Sequence, residues 1–177
     1  MTIRDPINDD AWIALCEGLA TNKSLTELRI GYGFIDSGVC EELTRFITRN
    51  KFIKLLQICH NKLGYRGTRL LCEALKQNDT ITSLILCDDS IDSDAWIFFK
   101  ELLDVNKTIS ELVLHYNPIT YTEYINVIDK QLKRNEEWRK ERRLAMKVLA
   151  QNIQRQGVVC HIPKELWNII LSYNTTK

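Results

Sequence analysis

Thr80-Ile81-Thr82-Ser83-Leu84-Ile85-Leu86 is followed 28 residues later by Thr108-Ile109-Ser110-Glu111-Leu112-Val113-Leu114. The same apolar phase opens at Phe52-Ile53-Lys54-Leu55-Leu56-Gln57-Ile58 and at Ser24-Leu25-Thr26-Glu27-Leu28-Arg29-Ile30. Four copies therefore run in register without an insertion, each reading L-x-x-L-x-L-x-x-N-x-L with aliphatic substitutions. The asparagine column holds Gly33, Asn61, Asp89 and Asn117, and the last aliphatic column holds Ile35, Leu63, Ile91 and Ile119. An incomplete copy with Ile7, Trp12, Leu15 and Leu19 precedes them. The alternating half of a copy predicts a short strand. The other half has helical spacing: Leu15, Leu43, Leu71, Phe99 and Val127 form one column, and Leu19, Ile47, Leu75 and Leu103 lie four residues on. In the last copy this stripe decays to Lys130 and Gln131. One strand-turn-helix unit cannot bury its own apolar face, so the units must stack, with a parallel sheet inside and helices outside.

Composition agrees with a folded array. The 177 residues are 45% hydrophobic and 27% charged, with a net charge of +1, which excludes charge-rich disorder. No stretch reaches the roughly 20 apolar residues that cross a bilayer, so no membrane association is expected. The N-terminus has no basic-then-apolar secretory pattern. Cys16, Cys40, Cys59, Cys72, Cys87 and Cys160 are then expected as free thiols in a reducing, cytoplasmic compartment.

The pattern resembles the ribonuclease-inhibitor type of leucine-rich repeat over roughly residues 3–135. The fold class expected is α/β, a short curved solenoid with a concave parallel sheet, outer helices and a helical C-terminal cap. Its partial copy spans 3–23 and its full copies 24–51, 52–79, 80–107 and 108–135, followed by a cap at 136–177. The resemblance implies a protein partner held on the concave face. It also makes enzyme inhibition or regulation an expectation, whether as regulator, scaffold or microbial effector; for an effector the compartment is the host cytosol.

Strand alternation decides which residues build that face. Leu28, Leu56, Leu84 and Leu112, with Ile30, Ile58, Leu86 and Leu114, point to the core. Between them project Glu27, Leu55, Ser83 and Glu111; then Arg29, Gln57, Ile85 and Val113; then Gly31, Cys59, Cys87 and His115; then Tyr32, His60, Asp88 and Tyr116. Leu55, Ile85 and Val113 put apolar groups where a solvated sheet prefers polar ones. Tyr32 and Tyr116 are amphipathic anchors of the kind enriched at binding hot spots. Glu27, Arg29, Gln57, His60, Asp88, Glu111 and His115 set orientation around them.

Cys59, Cys87 and His115 are lateral neighbours, with His60 and Asp88 nearby. Parallel strands aim their side chains side by side, whereas zinc needs converging ligands, so no metal and no cofactor are expected. No cleft or oxyanion donor accompanies the thiols, and no catalytic residue is assigned. The run Asp88-Asp89-Ser90-Ile91-Asp92-Ser93-Asp94 lacks the glycine and closing glutamate of a calcium loop, and its phase places Asp92–Asp94 at a helix cap.

Charge is uneven: residues 1–129 hold 13 basic and 19 acidic side chains, whereas 130–155 hold 9 basic and 3 acidic. The segment 136–156 reads as one helix, expected to cap the array with its basic face in water. The patch is short and interrupted by glutamates, so no nucleic-acid partner is expected, and the array is expected to be monomeric. Ile162-Pro163-Lys164-Glu165-Leu166-Trp167-Asn168-Ile169-Ile170-Leu171-Ser172-Tyr173 resembles the opening of an F-box, which gives the alternative of a ubiquitin-ligase adaptor using residues 162–173.

Overall fold

The computed structural model describes residues 1–4, 8–32, 35, 39–118 and 122–156, with side chains except at 9, 122–125 and 145–156. Strands β1 (Thr2–Ile3), β2 (Glu27–Gly31), β3 (Leu55–Cys59), β4 (Ser83–Cys87) and β5 (Glu111–Val113) alternate with helices α1 (Asp9–Thr21), α2 (Cys40–Arg49), α3 (Gly64–Lys76), α4 (Trp96–Val105) and α5 (Thr122–Gln156). The strands form one parallel sheet in chain order. Leu28 pairs with Leu56, Leu56 with Leu84 and Leu84 with Leu112, so the 28-residue phase of the sequence is the register of the sheet.

The columns pack as the alternation requires. Leu28, Leu56, Ile58, Leu84 and Leu86 are fully buried against Leu43, Ile47, Leu71, Leu75, Phe99 and Leu103 from the helices. Leu112 and Leu114 are only half-buried beside this core. The acidic run does cap a helix: Asp92 accepts a hydrogen bond from Ala95 N–H at 3.2 Å, at the 3-10 turn Ser93–Ala95 that leads into α4.

The last unit departs from the phase by one residue. Val127 is 36% exposed, whereas Ile128 is 7% exposed and joins the core. Leu132, one residue beyond the expected column, packs on the core as well. Gln131 is buried polar, hydrogen-bonded to Asp104.

Two polar ladders stitch the units together. In the turns, Asn61 donates to Cys59 O at 2.8 Å and accepts from Ile35 N–H at 3.1 Å, and Asn117 accepts from Asp89 N–H and donates to Leu86 O. A second ladder runs past the helix ends. Asn50 donates to Leu19 O and Asn22 O, Asn78 to Ile47 O and Asn50 O, and Asn106 to Leu75 O and Asn78 O, all within 3.2 Å. Their side-chain oxygens accept the backbone N–H groups that open the next strand segment, as Asn50 does from Phe52 and Ile53. Carbonyls left over at the C-termini of α1, α2 and α3 thus find their partner in the following unit. Asn135, 29 residues after Asn106, ends the ladder from α5.

The described residues fall into two compact units, one closing at Asn135 and the other opening at Glu136. In the second, Lys140 pairs with Glu136 at 2.7 Å and Arg142 lies over the Trp138 ring. Cys160 and the F-box-like stretch 162–173 lie outside the described residues, as does Gly33. Among the described residues no helix is long and apolar enough to cross a membrane.

Candidate protein-binding surface

The odd-numbered positions of β2–β5 form the sheet face turned away from the helices. Here the two aliphatic columns contribute nothing, and the exposed chemistry is that of the alternate residues. Glu27 and Arg29 form an ion pair at 2.9 Å, and Arg29 donates to Gln57 at 2.7 Å. Gln57 in turn donates to the Cys59 thiol at 3.4 Å. This chain of contacts across β2 and β3 leaves Cys59 only 8% exposed, although alternation places it on the open face. Leu55, Ile85 and Val113 are half-buried, so their outward edges give the middle of the sheet an apolar surface.

The row Tyr32, His60 and Asp88, one residue beyond β2, β3 and β4, and Tyr116, three beyond β5, has positive φ, from 56° to 72°. None of these is glycine, and each such residue costs roughly 1–2 kcal/mol. The ladder over-determines the conformation: Tyr32 N–H donates to Cys59 O, His60 N–H to Cys87 O and Asp88 N–H to His115 O, at 2.8–3.1 Å. The left-handed turn lifts these side chains onto the rim. Tyr32 stacks on His60 with centroids 5.1 Å apart, and His60 Nδ1 lies 2.9 Å from the Asp88 carboxylate. Tyr116 is 86% exposed, with His115 edge-on to its ring.

Among the described residues no group of three or more metal-ligating side chains converges. Cys59 and Cys87 face each other in register, and both are free thiols. Burial, followed by the neighbouring Cys59, pushes the Cys87 thiol up to about 11. Burial likewise pushes Cys16 up to about 11 and raises Cys72. The thiolate is the reactive species, so these groups are poor nucleophiles at neutral pH. In a mass-spectrometric time course with iodoacetamide at pH 7.5, Cys87, by its raised thiol, and Cys59, by its burial, are expected to label at least tenfold more slowly than free glutathione, with Cys72 labelled only on unfolding. Faster labelling of Cys59 or Cys87 than of glutathione contradicts the inert reading.

No family model matches the chain. Over 105 residues it is 32% identical to NACHT, LRR and PYD domains-containing protein 9 of Bos taurus, covering 58% of the chain and 10% of that protein. Over 113 residues it is 30% identical to the ribonuclease inhibitor of Sus scrofa, covering 63% of the chain and 25% of the inhibitor. The chain thus spans about a tenth to a quarter of the length of these relatives. Among solved structures, leiomodin-1 Actin-Binding Site 2 superposes with a TM-score of 0.75 at 21% identity, over 84% of this chain and 88% of that one. The tropomodulin C-terminal domain of Caenorhabditis elegans superposes with a TM-score of 0.64 at 16% identity, over 81% and 87%. The in-register parallel sheet and these sequence relatives together support a protein of the leucine-rich-repeat type.

Proposed function

We propose that the chain is a non-enzymatic protein-interaction module that holds a protein partner on the open face of its sheet. The observation that carries this reading is that half-buried Leu55 and the paired Ile85 and Val113 share one sheet face whose rim carries exposed Tyr32 and Tyr116. Contiguous apolar surface on a folded array marks an interaction site, and exposed aromatics supply its anchors. Glu27, Arg29, Gln57, His60, Asp88, Glu111 and His115 surround it and set orientation. Regulation of an enzyme is the role we favour, since the relatives include a ribonuclease inhibitor. The free thiols fit a reducing compartment.

Ile85→Glu and Tyr116→Ala are the variants that test it. Proteins captured by the wild type are compared with those captured by each variant in a quantitative pull-down, and the preys lost are remade and titrated calorimetrically. Actin and a ribonuclease, named by one structural neighbour and one relative, serve as first defined probes. Ile85→Glu is expected to weaken a true partner by about 30-fold or more, as burial of an unpaired charge at an interface implies. Unchanged binding by both variants, with melting temperature also unchanged, removes the open face from the proposal.

A further inference from the structure

The two halves of the open face differ in how far their polar groups are already satisfied. On β2 and β3, Glu27, Arg29, Gln57 and Cys59 form one continuous chain of contacts. On the rim, Asp88 holds His60, and Tyr32 covers the same imidazole. On β4 and β5 nothing comparable exists among the described residues. Glu111 is exposed, and among the described residues its carboxylate has no ion pair or side-chain hydrogen bond. Beside it in register lies Ser83, whose buried hydroxyl has no partner. Leu55 flanks Ser83, and the Ile85–Val113 pair lies next along the strands.

We infer that this half of the face takes a basic side chain of the partner, arginine or lysine, with its charged head on Glu111 and its aliphatic stem over Ile85 and Val113. The inference rests on the open-face reading above and names what that face selects. Its geometry comes from the strand: Glu111 and Val113 are alternate residues on one strand, about 7 Å apart at 3.3 Å per residue, close to the reach of an extended lysine or arginine stem. The apolar pair buries the methylenes and lowers the dielectric around the carboxylate, which strengthens the charge-assisted hydrogen bond. An anionic side chain here meets an unneutralised carboxylate, while the one arginine of the face is already engaged by Glu27 and Gln57. A purely apolar side chain leaves Glu111 to be desolvated without compensation.

The probes are the blocked tripeptides acetyl-Leu-Arg-Leu-amide, acetyl-Leu-Lys-Leu-amide and acetyl-Leu-citrulline-Leu-amide, the last a neutral near-isostere of the first. Each is titrated into the full 15N-labelled chain, wild type and Glu111→Gln, with shifts followed by NMR. The two basic probes are expected to perturb the amides of 83–85 and 111–113 most, and to bind about tenfold more tightly than the citrulline probe. In Glu111→Gln that preference is expected to disappear; Glu111 is exposed, so the spectrum of the variant otherwise keeps its native dispersion. Equal binding of arginine and citrulline probes overturns the inference, as does no perturbation at all. Perturbation centred on Glu27–Gln57 overturns it while leaving the open face as the binding surface. Perturbation confined to the helices overturns both readings.

Discussion

At pH 8 the Asp89→Asn variant is expected to be more stable than the wild type by about 4 kcal/mol, a gain that shrinks to nearly nothing towards pH 4. Asp89 occupies the turn column that Asn61 and Asn117 fill in the neighbouring units, and it is fully buried. One carboxylate oxygen accepts Asn61 N–H at 2.9 Å, but the other has no partner. Asn61 uses the equivalent amide to donate to Cys59 O, which an ionised carboxylate cannot do. Burial above all pushes the Asp89 carboxyl up to about 7, opposed by the Asn61 hydrogen bonds and reinforced by Asp88.

The direction of the pH effect follows from proton counting. Between the ordinary value of 3.8 and about 7 the folded chain holds the Asp89 proton and the unfolded chain has lost it. Stability from this group is therefore complete below 3.8, declines as pH rises through that window, and is gone above about 7. Asparagine supplies the same acceptor and a permanent donor without titrating. Urea unfolding of both proteins at pH 4, 6 and 8 isolates the site, because every other titrating group is common to the two. A gap that stays constant with pH, or a variant less stable at pH 8, refutes this account of Asp89.

The turn column also shows what the sequence reveals and what it hides. The sheet register was legible because a repeat of fixed length makes each aliphatic column recur at one phase, and packing demands that the columns coincide. The slip at α5 was not: Val127 and Ile128 are adjacent and equally aliphatic, so the stripe alone cannot choose between them. Asn135, one residue late against Asn106, is the signal that distinguishes them. Strand parity puts Cys59 on the open face, but parity gives direction and not exposure, and Gln57 reaches across to its thiol. The positive φ of Tyr32 and Tyr116 has no signature in residue type, whereas His60 and Asp88 are of types that tolerate it better. Tyrosine does not seek the left-handed region; at Tyr32 the Cys59 carbonyl of the adjacent strand holds the backbone there. Which half of the face is internally satisfied depends on side-chain pairing between repeats, and a column list does not contain that.

The ladder through the helix ends carries the largest single-residue loss. Asn78→Ala is expected to cost about 4 kcal/mol, against about 1 kcal/mol for Asn22→Ala. Asn78 is nearly inaccessible and serves both neighbouring units at once. Its amide donates to Ile47 O and Asn50 O, and its oxygen accepts from Thr80 N–H and Ile81 N–H at 2.9 and 2.8 Å. Alanine strands two carbonyls and two amides in an interior that offers no replacement partner, at roughly 1–3 kcal/mol for each group that stays unpaired. Partial relaxation of the chain keeps the sum well below four full penalties. Asn22 shares the acceptor role, towards Ser24 N–H and Leu25 N–H, yet it stands in the first unit with water at hand for the groups it releases. Urea unfolding of the two variants reads the difference directly. Because each unit contacts only its neighbours, Asn78→Ala is also expected to lower cooperativity, since the units on either side lose the bonds that couple them. Equal losses in the two variants mean that the ladder acts only as local capping within each helix end, and the coupling role assigned to it fails.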